Sequence, residues 1–170
     1  MAWLGELRIR LRKSVTMTPL DLTAHPPRSA YLELGGLLLL ARTIDKLRAR
    51  LPGGNSGVYF INGQIPGISA YLLGRLGVTE DDLQRVVAEA ENEADVVDWI
   101  AGRTDASAYP AINATLRQIE VRHAQDPEYL RTLYAPTLEM QPELVRLLDI
   151  LDADDRRMFG AGEIGYRRGE

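Results

Sequence analysis

Apolar residues recur at three- and four-residue spacing over positions 37–51. Leu37, Leu40, Ala41, Ile44, Leu47 and Leu51 share one face, the period of an amphipathic helix. Leu38 and Leu39 widen that face, so this helix is predicted to be central, with Arg42, Asp45, Lys46 and Arg48 as its polar side. Residues 66–76 read as a second helix, stopped by Gly77 in a left-handed C′ conformation. Thr79-Glu80-Asp81-Asp82 has the form of a capped start, with acids at the positive end of the helix dipole, and Leu83, Val86, Val87 and Ala90 form the apolar face behind it. Asn92 is placed to cap a helix carrying Ala94, Val97, Ile100 and Ala101, closed by Gly102. Asp105 or Ser107 opens the next, running through Ile112, Leu116 and Ile119 to His123. Asp126-Pro127-Glu128 combines an N-cap, a first-turn proline and an acid. Gln141-Pro142-Glu143 repeats that logic ahead of Leu144, Leu147, Leu148 and Leu151, and Asp152-Ala153-Asp154-Asp155 predicts a last short helix toward Phe159.

Between these periods the pattern changes. Residues 19–23 form an extended lead-in, and Pro26-Pro27 restrict φ and bias the preceding residues toward extended geometry. Ser29 is a natural N-cap for a helical turn over 30–34, which Gly35-Gly36 would weaken by about 2 kcal/mol of propensity. Residues 52–57 are a turn or loop. Val58-Tyr59-Phe60-Ile61 is β-branched and aromatic, a short strand or extended buried segment whose backbone needs a partner. That partner could be residues 7–11, or nearby chain folding back after Asn62-Gly63. The reading is a mostly α, single-domain multi-helix bundle with one short extended or β-hairpin element. Its parts are a basic, flexible arm at 1–16, a helical domain at 17–160 and a flexible tail at 161–170.

Composition narrows the function classes. The chain has 170 residues and no cysteine, which excludes disulfide scaffolds, thiolate zinc sites, iron–sulfur clusters and cysteine nucleophiles. The net charge of −4 does not suggest a nucleic-acid binder. That charge is uneven: four basic residues against Glu6 give the arm +3 and leave −7 for the rest. The arm alternates apolar and basic residues as a strand does, yet Trp3, Leu7, Leu11 and Val15 also fit a basic amphipathic helix that could lie on an anionic membrane. Met17 could be the true start. With no secretory signal and no apolar run long enough to span a bilayer, the chain is expected to be cytoplasmic.

One stretch carries a family resemblance. His25-Pro26-Pro27-Arg28-Ser29 is followed by Leu34-Gly35-Gly36 and then by Ala41-Arg42-Thr43-Ile44-Asp45-Lys46 with Arg48-Ala49. Gly57-Val58-Tyr59, Leu76-Gly77-Val78 and Leu151-Asp152-Ala153-Asp154-Asp155 come later. This linear pattern resembles the bacterial family called domain of unknown function 5069, over about residues 20–159. The resemblance implies a fold and no activity. Members often carry Cys-Pro-Leu-Asp after the extended segment, whereas this chain has Asn62-Gly63-Gln64-Ile65-Pro66-Gly67. If that segment lines a site, its thiol and carboxylate are missing here.

Arg28, Arg42, Asp45 and Lys46 form the most suggestive polar group. Three-residue spacings put Arg42, Asp45 and Arg48 within reach on one helix. With Arg28 folded against them, the group could hold a phosphate or carboxylate, which the planar arginine fork recognises well. Equally, it could be an ion-pair network pinning the Pro-Pro segment to the central helix. His25 and His123 are the only histidines. Neither belongs to a nucleophile elbow or a zinc-binding pair, so no metal is expected. Asp152, Asp154 and Asp155 fail as a calcium loop, because the sixth position is Arg157 rather than glycine. Acids at a helix N-terminus are the expected explanation for them. Gly53-Gly54-Asn55-Ser56-Gly57 is neither a phosphate-binding loop nor a dinucleotide fingerprint, and no cofactor is expected. Two functions stay open. The first is a non-enzymatic module binding a small anion or partner protein through Arg28, Arg42 and Lys46. The second is an enzyme using Asp45 or His25 for acid–base chemistry beside the arginines.

Overall fold

The computed structural model describes residues 16–160; all of the arm but Thr16, and the tail, lie outside the described residues, and with them the proposed pairing of residues 7–11. Among the described residues eight α-helices follow one another: α1 Leu40–Arg48, α2 Ile68–Leu76, α3 Glu80–Glu89, α4 Glu93–Ala101, α5 Tyr109–Gln118, α6 Pro127–Leu133, α7 Ala135–Met140 and α8 Leu147–Phe159. Among the described residues the only β pairing is a set of isolated bridges. This is the mostly α bundle that the apolar periods predict. No helix of the described residues is long and apolar enough to cross a membrane.

Helix α1 is the centre. All nine of its residues are buried, Arg42, Asp45, Lys46 and Arg48 included, so its polar side faces other protein rather than solvent. Helices α2 and α3 pack on it, α4 packs on α3, and α6, α7 and α8 pack in sequence. The main core joins Leu37–Leu40, Ile44 and Leu47 to Leu72, Leu83, Val87, Ile100, Leu116 and Leu148. A smaller core gathers Ile65, Val121, Leu130, Leu147 and Ile150.

Local chemistry decides most helix ends. Thr79 accepts from the Asp82 amide, Asn92 forms a capping box with Asp95, Asp126 accepts from the Tyr129 amide ahead of Pro127, and Gly77 closes α2 at φ 65°. Asp105 caps a 3-10 turn, Ala106–Ala108, that leads into α5.

Four expectations need correction. First, α1 begins at Leu40 rather than Leu37. Gly35 and Gly36, at φ 58° and 80°, turn the chain so that Leu34 and Leu37 exchange backbone bonds of 3.0 Å. Leu39 then takes the left-handed region at φ 64°, at a strain of about 1–2 kcal/mol. Buried Asn113 holds this turn, accepting from the Leu38 amide at 2.9 Å and donating to the Gly36 carbonyl at 2.8 Å. Second, Ser29 caps no helix; its hydroxyl donates to Asp152 instead. Third, α5 ends at Gln118 and a 3-10 turn, Val121–His123, follows it. Fourth, Gln141-Pro142-Glu143 opens no helix. It forms one turn, closed by the Leu144 amide on Gln141 O at 3.2 Å; the Val121 amide then donates to Val145 O at 3.0 Å and the Leu147 amide to Ile119 O at 2.9 Å, which holds residues 145–146 extended until α8 begins. Helix α8 then runs without a break through Asp152-Ala153-Asp154-Asp155, so those acids sit in a helix interior and not at an N-terminus.

Residues 58–61 form no strand: Val58 lies exposed in a turn that the Tyr59 amide closes on Ser56 O at 2.9 Å, and Ile61 lies buried in a bend. Gly67 N–H donates to the Ile61 carbonyl at 3.0 Å, and the fold-back after Asn62-Gly63 is a single bridge to Pro66. The Phe60 carbonyl is satisfied by a side chain, that of Lys46, at 2.9 Å.

Candidate functional site

The four residues singled out from sequence divide into two groups. Arg28 lies across α1 and α4. Its backbone amide and Nε both donate to Asp45 Oδ2 at 2.9 Å, Nη2 donates to Asp45 Oδ1 at 2.8 Å, and Nη1 donates to Glu93 Oε2 at 2.9 Å. Burial alone would lower the guanidinium pKa; bonds to Glu93 and Asp45 outweigh it and raise the value. Arg42 is 1% exposed and forms a two-pronged pair with Asp155, Nη1 to Oδ2 at 2.6 Å and Nη2 to Oδ1 at 3.3 Å. Its Nη1 also reaches the Arg28 carbonyl at 3.1 Å, while Nε has no partner. The Tyr59 hydroxyl donates to Asp155 at 2.6 Å, and burial first, then that carboxylate, raises the phenol pKa.

This arrangement explains the acids of α8. Asp149, Asp152 and Asp155 follow at three-residue spacing and grip the segment before α1 and α1 itself: Asp149 accepts from the Tyr31 hydroxyl at 2.6 Å, Asp152 from Ser29 and from the Ala30 amide at 2.9 Å, and Asp155 from Arg42 of α1. Asp154 turns the other way, to Thr137 and Arg157. Arg28, Arg42 and Asp45 therefore have the geometry of the pinning network, tying the Pro-Pro segment, α1, α4 and α8 together.

Lys46 is different. It follows Arg42 by one helical turn and is also buried, yet among the described residues no carboxylate pairs with it. Its Nζ donates to Phe60 O at 2.9 Å and to Ser69 Oγ at 3.2 Å. Burial, then the positive charge of Arg42, push its pKa down from 10.5 to about 7.

Lys46 forms part of the wall of a cavity of about 540 Å³. Phe60, Ile65, Pro66, Gly67 and Ile68 supply one side; Ile65, Pro66 and Gly67 of these come from the segment where the family resemblance breaks. Ala70 and Tyr71 of α2, Thr115 of α5 and the loop residues Ile119, His123, Ala124 and Gln125 continue it. Leu130 and Tyr134, with Leu147 and Leu151 of α8, close it. The lining bridges the two cores, and its exposed members Pro66, Tyr71, Thr115, His123 and Gln125 give it a rim in solvent.

The polar groups in this wall are few. No Asp or Glu lines it among the described residues. His123 Nδ1 accepts from the Glu120 amide at 3.1 Å, so the neutral ring carries its proton on Nε2. Burial pushes the Tyr134 phenol up to about 12, so it stays protonated at neutral pH. Neither Asp45 nor His25, the pair considered for acid–base chemistry, lines the cavity. Asp45 accepts from three nitrogens of Arg28, and His25 Nδ1 lies 3.4 Å from Pro26 O. The described residues contain no cluster of three or more acidic or histidine ligands able to hold a metal ion.

Sequence reasoning reached Lys46 but grouped it with the arginines, and it missed Tyr134, Phe60 and Ser69. The signal that separates them is tertiary: which cation of α1 meets a carboxylate.

No curated protein matches the sequence. The family model described as domain of unknown function (DUF5069) matches residues 24–157, the span from the Pro-Pro segment through most of α8, and the chain belongs to that family.

Proposed function

We propose that this protein is a binding module whose cavity takes a small, mostly apolar molecule bearing one anionic or acceptor group, with Lys46 as the contact for that group. One observation carries the reading: a buried lysine without a carboxylate partner stands in the wall of a largely apolar cavity that no acid lines. A buried ammonium left without a counter-charge costs several kcal/mol. A fold that keeps one beside a cavity has a use for it there. The volume falls in the range of small-molecule sites, about 300–1,000 Å³. Arg28, Arg42 and Asp45 support this site as a scaffold, since their charges are matched within the protein.

Three probes with one chain and different heads test the reading: octanoate, octanol and octylamine, followed by calorimetry and thermal shift. Octanoate is expected to bind about tenfold or more tighter than octanol, the worth of one charge-assisted hydrogen bond. Octylamine is expected to bind weakest. Lys46→Met should bring octanoate down to octanol. Octylamine binding as tightly as octanoate, or no binding by any of the three, would overturn the proposal.

A further inference from the structure

We infer that the cavity takes aldehydes or ketones with an apolar chain and holds them covalently, as an imine between their carbonyl carbon and Lys46 Nζ. This rests on the cavity being a ligand site and names the class of ligand that suits it.

The geometry at Nζ supports the step. A neutral lysine amine has two N–H donors and one lone pair. Here there are two acceptors, Phe60 O at 2.9 Å and Ser69 Oγ at 3.2 Å. Both donors are thereby used, and the lone pair takes the remaining tetrahedral direction, which no group of the described residues occupies in hydrogen bonding. An ammonium in this position would have a third proton without a partner. The charges around Nζ do not hold that proton either. Arg42 of α1 and Arg50, just past its end, repel it; Asp155 of α8 and Glu80 of α3 attract it, but Asp155 is engaged by Arg42 and Glu80 by Arg50. Burial acts in the same direction as the two arginines, so the resting amine gives up its proton far more readily than an ordinary lysine does.

The residue type points the same way. Of the 20 basic residues only Lys13 and Lys46 are lysine. Everywhere else this chain uses arginine, including at the paired position Arg42. Arginine serves where a permanent cation is matched by a carboxylate, but it stays protonated and is not a nucleophile at neutral pH, whereas a desolvated lysine is. Lysine at position 46 fits chemistry that needs the proton to leave.

The step balances without oxidant or reductant. The Nζ lone pair forms a bond to the carbonyl carbon, and the carbonyl π pair moves to oxygen. A proton passes from nitrogen to that oxygen, giving a carbinolamine. The nitrogen lone pair then forms the second C–N bond as the C–O bond breaks, the oxygen taking a second proton and leaving as water. The nitrogen loses its remaining proton, so amine and carbonyl become imine and water. Tyr134, a protonated phenol in the same wall, and His123, through Nε2–H, are the groups able to exchange protons with the departing oxygen.

Octanal with cyanoborohydride tests this on the full chain near pH 7, with peptide mapping by mass spectrometry. Hydride reduction of the imine fixes one octyl group on the nitrogen. The expected result is octyl addition at Lys46 in an excess of about tenfold or more over Lys13, because an ordinary lysine holds only about one neutral amine in 10³ at this pH. Octanoate should suppress that addition. Lys46→Arg should abolish it, since the guanidinium cannot form the imine. If octanoate binds but octanal modifies Lys13 as readily as Lys46, or modifies neither, the imine is wrong and the cavity reading stands. If octanoate does not bind and Lys46 is not modified, both fall.

Discussion

The pair between Arg42 and Asp155 is the test of how this fold tolerates so much charge in its centre. Each residue is 1% exposed. Asp155 accepts from Arg42 Nη1 and Nη2 and from the Tyr59 hydroxyl; besides Asp155, Arg42 donates to the Arg28 carbonyl and lies over the Tyr59 ring at 5.5 Å. Asp155→Ala leaves a guanidinium with no paired carboxylate and a phenol with no acceptor in a water-poor interior. Breaking a buried pair from one side costs about 3–5 kcal/mol, and for a chain of this size each kcal/mol moves Tm by about 2–4 °C. The single variant should thus melt on the order of 10 °C below the wild type. Asp155→Asn, which keeps the shape and one acceptor, should lose nearly as much, because the charge is what Arg42 lacks. Replacing both partners removes both desolvation penalties, so Arg42→Met with Asp155→Leu should lie within about 1–2 kcal/mol of wild type. Urea unfolding followed by helical circular dichroism supplies all the free energies for the cycle. The reasoning is refuted if Asp155→Asn costs under about 1 kcal/mol, or if the double variant loses the sum of the two single losses.

Two further perturbations follow from the same physics. Lys46 has a folded pKa near 7 against an ordinary value of 10.5, so the unfolded chain binds more protons between those values and wild-type stability should rise as pH climbs through that window. Lys46→Met removes the slope: its stability gain over wild type should be largest at pH 6 and shrink toward pH 10, and a gain that is flat or grows with pH contradicts the buried, unpaired lysine. Asn113→Ala leaves the Leu38 amide and the Gly36 carbonyl without partners, which should cost about 2–4 kcal/mol. Hydrogen exchange of the Leu38 amide should accelerate in that variant more than exchange of the α3 amides does.

What was legible in the sequence was whatever is decided within four residues. Thr79, Asn92 and Asp126 cap because a short side-chain oxygen reaches the amide two or three positions on, and Gly77 closes α2 because it alone escapes the Cβ penalty at positive φ. Where the signal and the long-range contacts compete, the contacts win. Gln141-Pro142-Glu143 has the form of a helix start, but it closes as a single turn, and the bonds that residues 145–147 make to residues 119 and 121 hold the chain after it extended. Asp152 and Asp155 favour helix ends by propensity, yet they lie inside α8, because Ser29, Ala30 and Arg42 need their carboxylates there. Leu39 carries no mark of a left-handed residue; a fully buried side chain and the Gly35-Gly36 turn before it impose that conformation.

The candidate site shows the same division at higher resolution. From sequence alone, Arg42 and Lys46 are two cations on one face of one helix, and nothing local distinguishes them. The fold places an acid of α8 against the first and the carbonyl of Phe60 against the second. That difference reverses their energetic sign. Removing Arg42 strands a carboxylate and should destabilise the protein, whereas removing Lys46 takes an uncompensated ammonium out of the interior and should stabilise it, most strongly below pH 7. A side chain whose loss strengthens the fold is not explained by the fold. Among the four residues that the sequence marked, only Lys46 meets that condition. It is also the only one of them in the cavity wall, so energetics and geometry, argued separately, select the same atom.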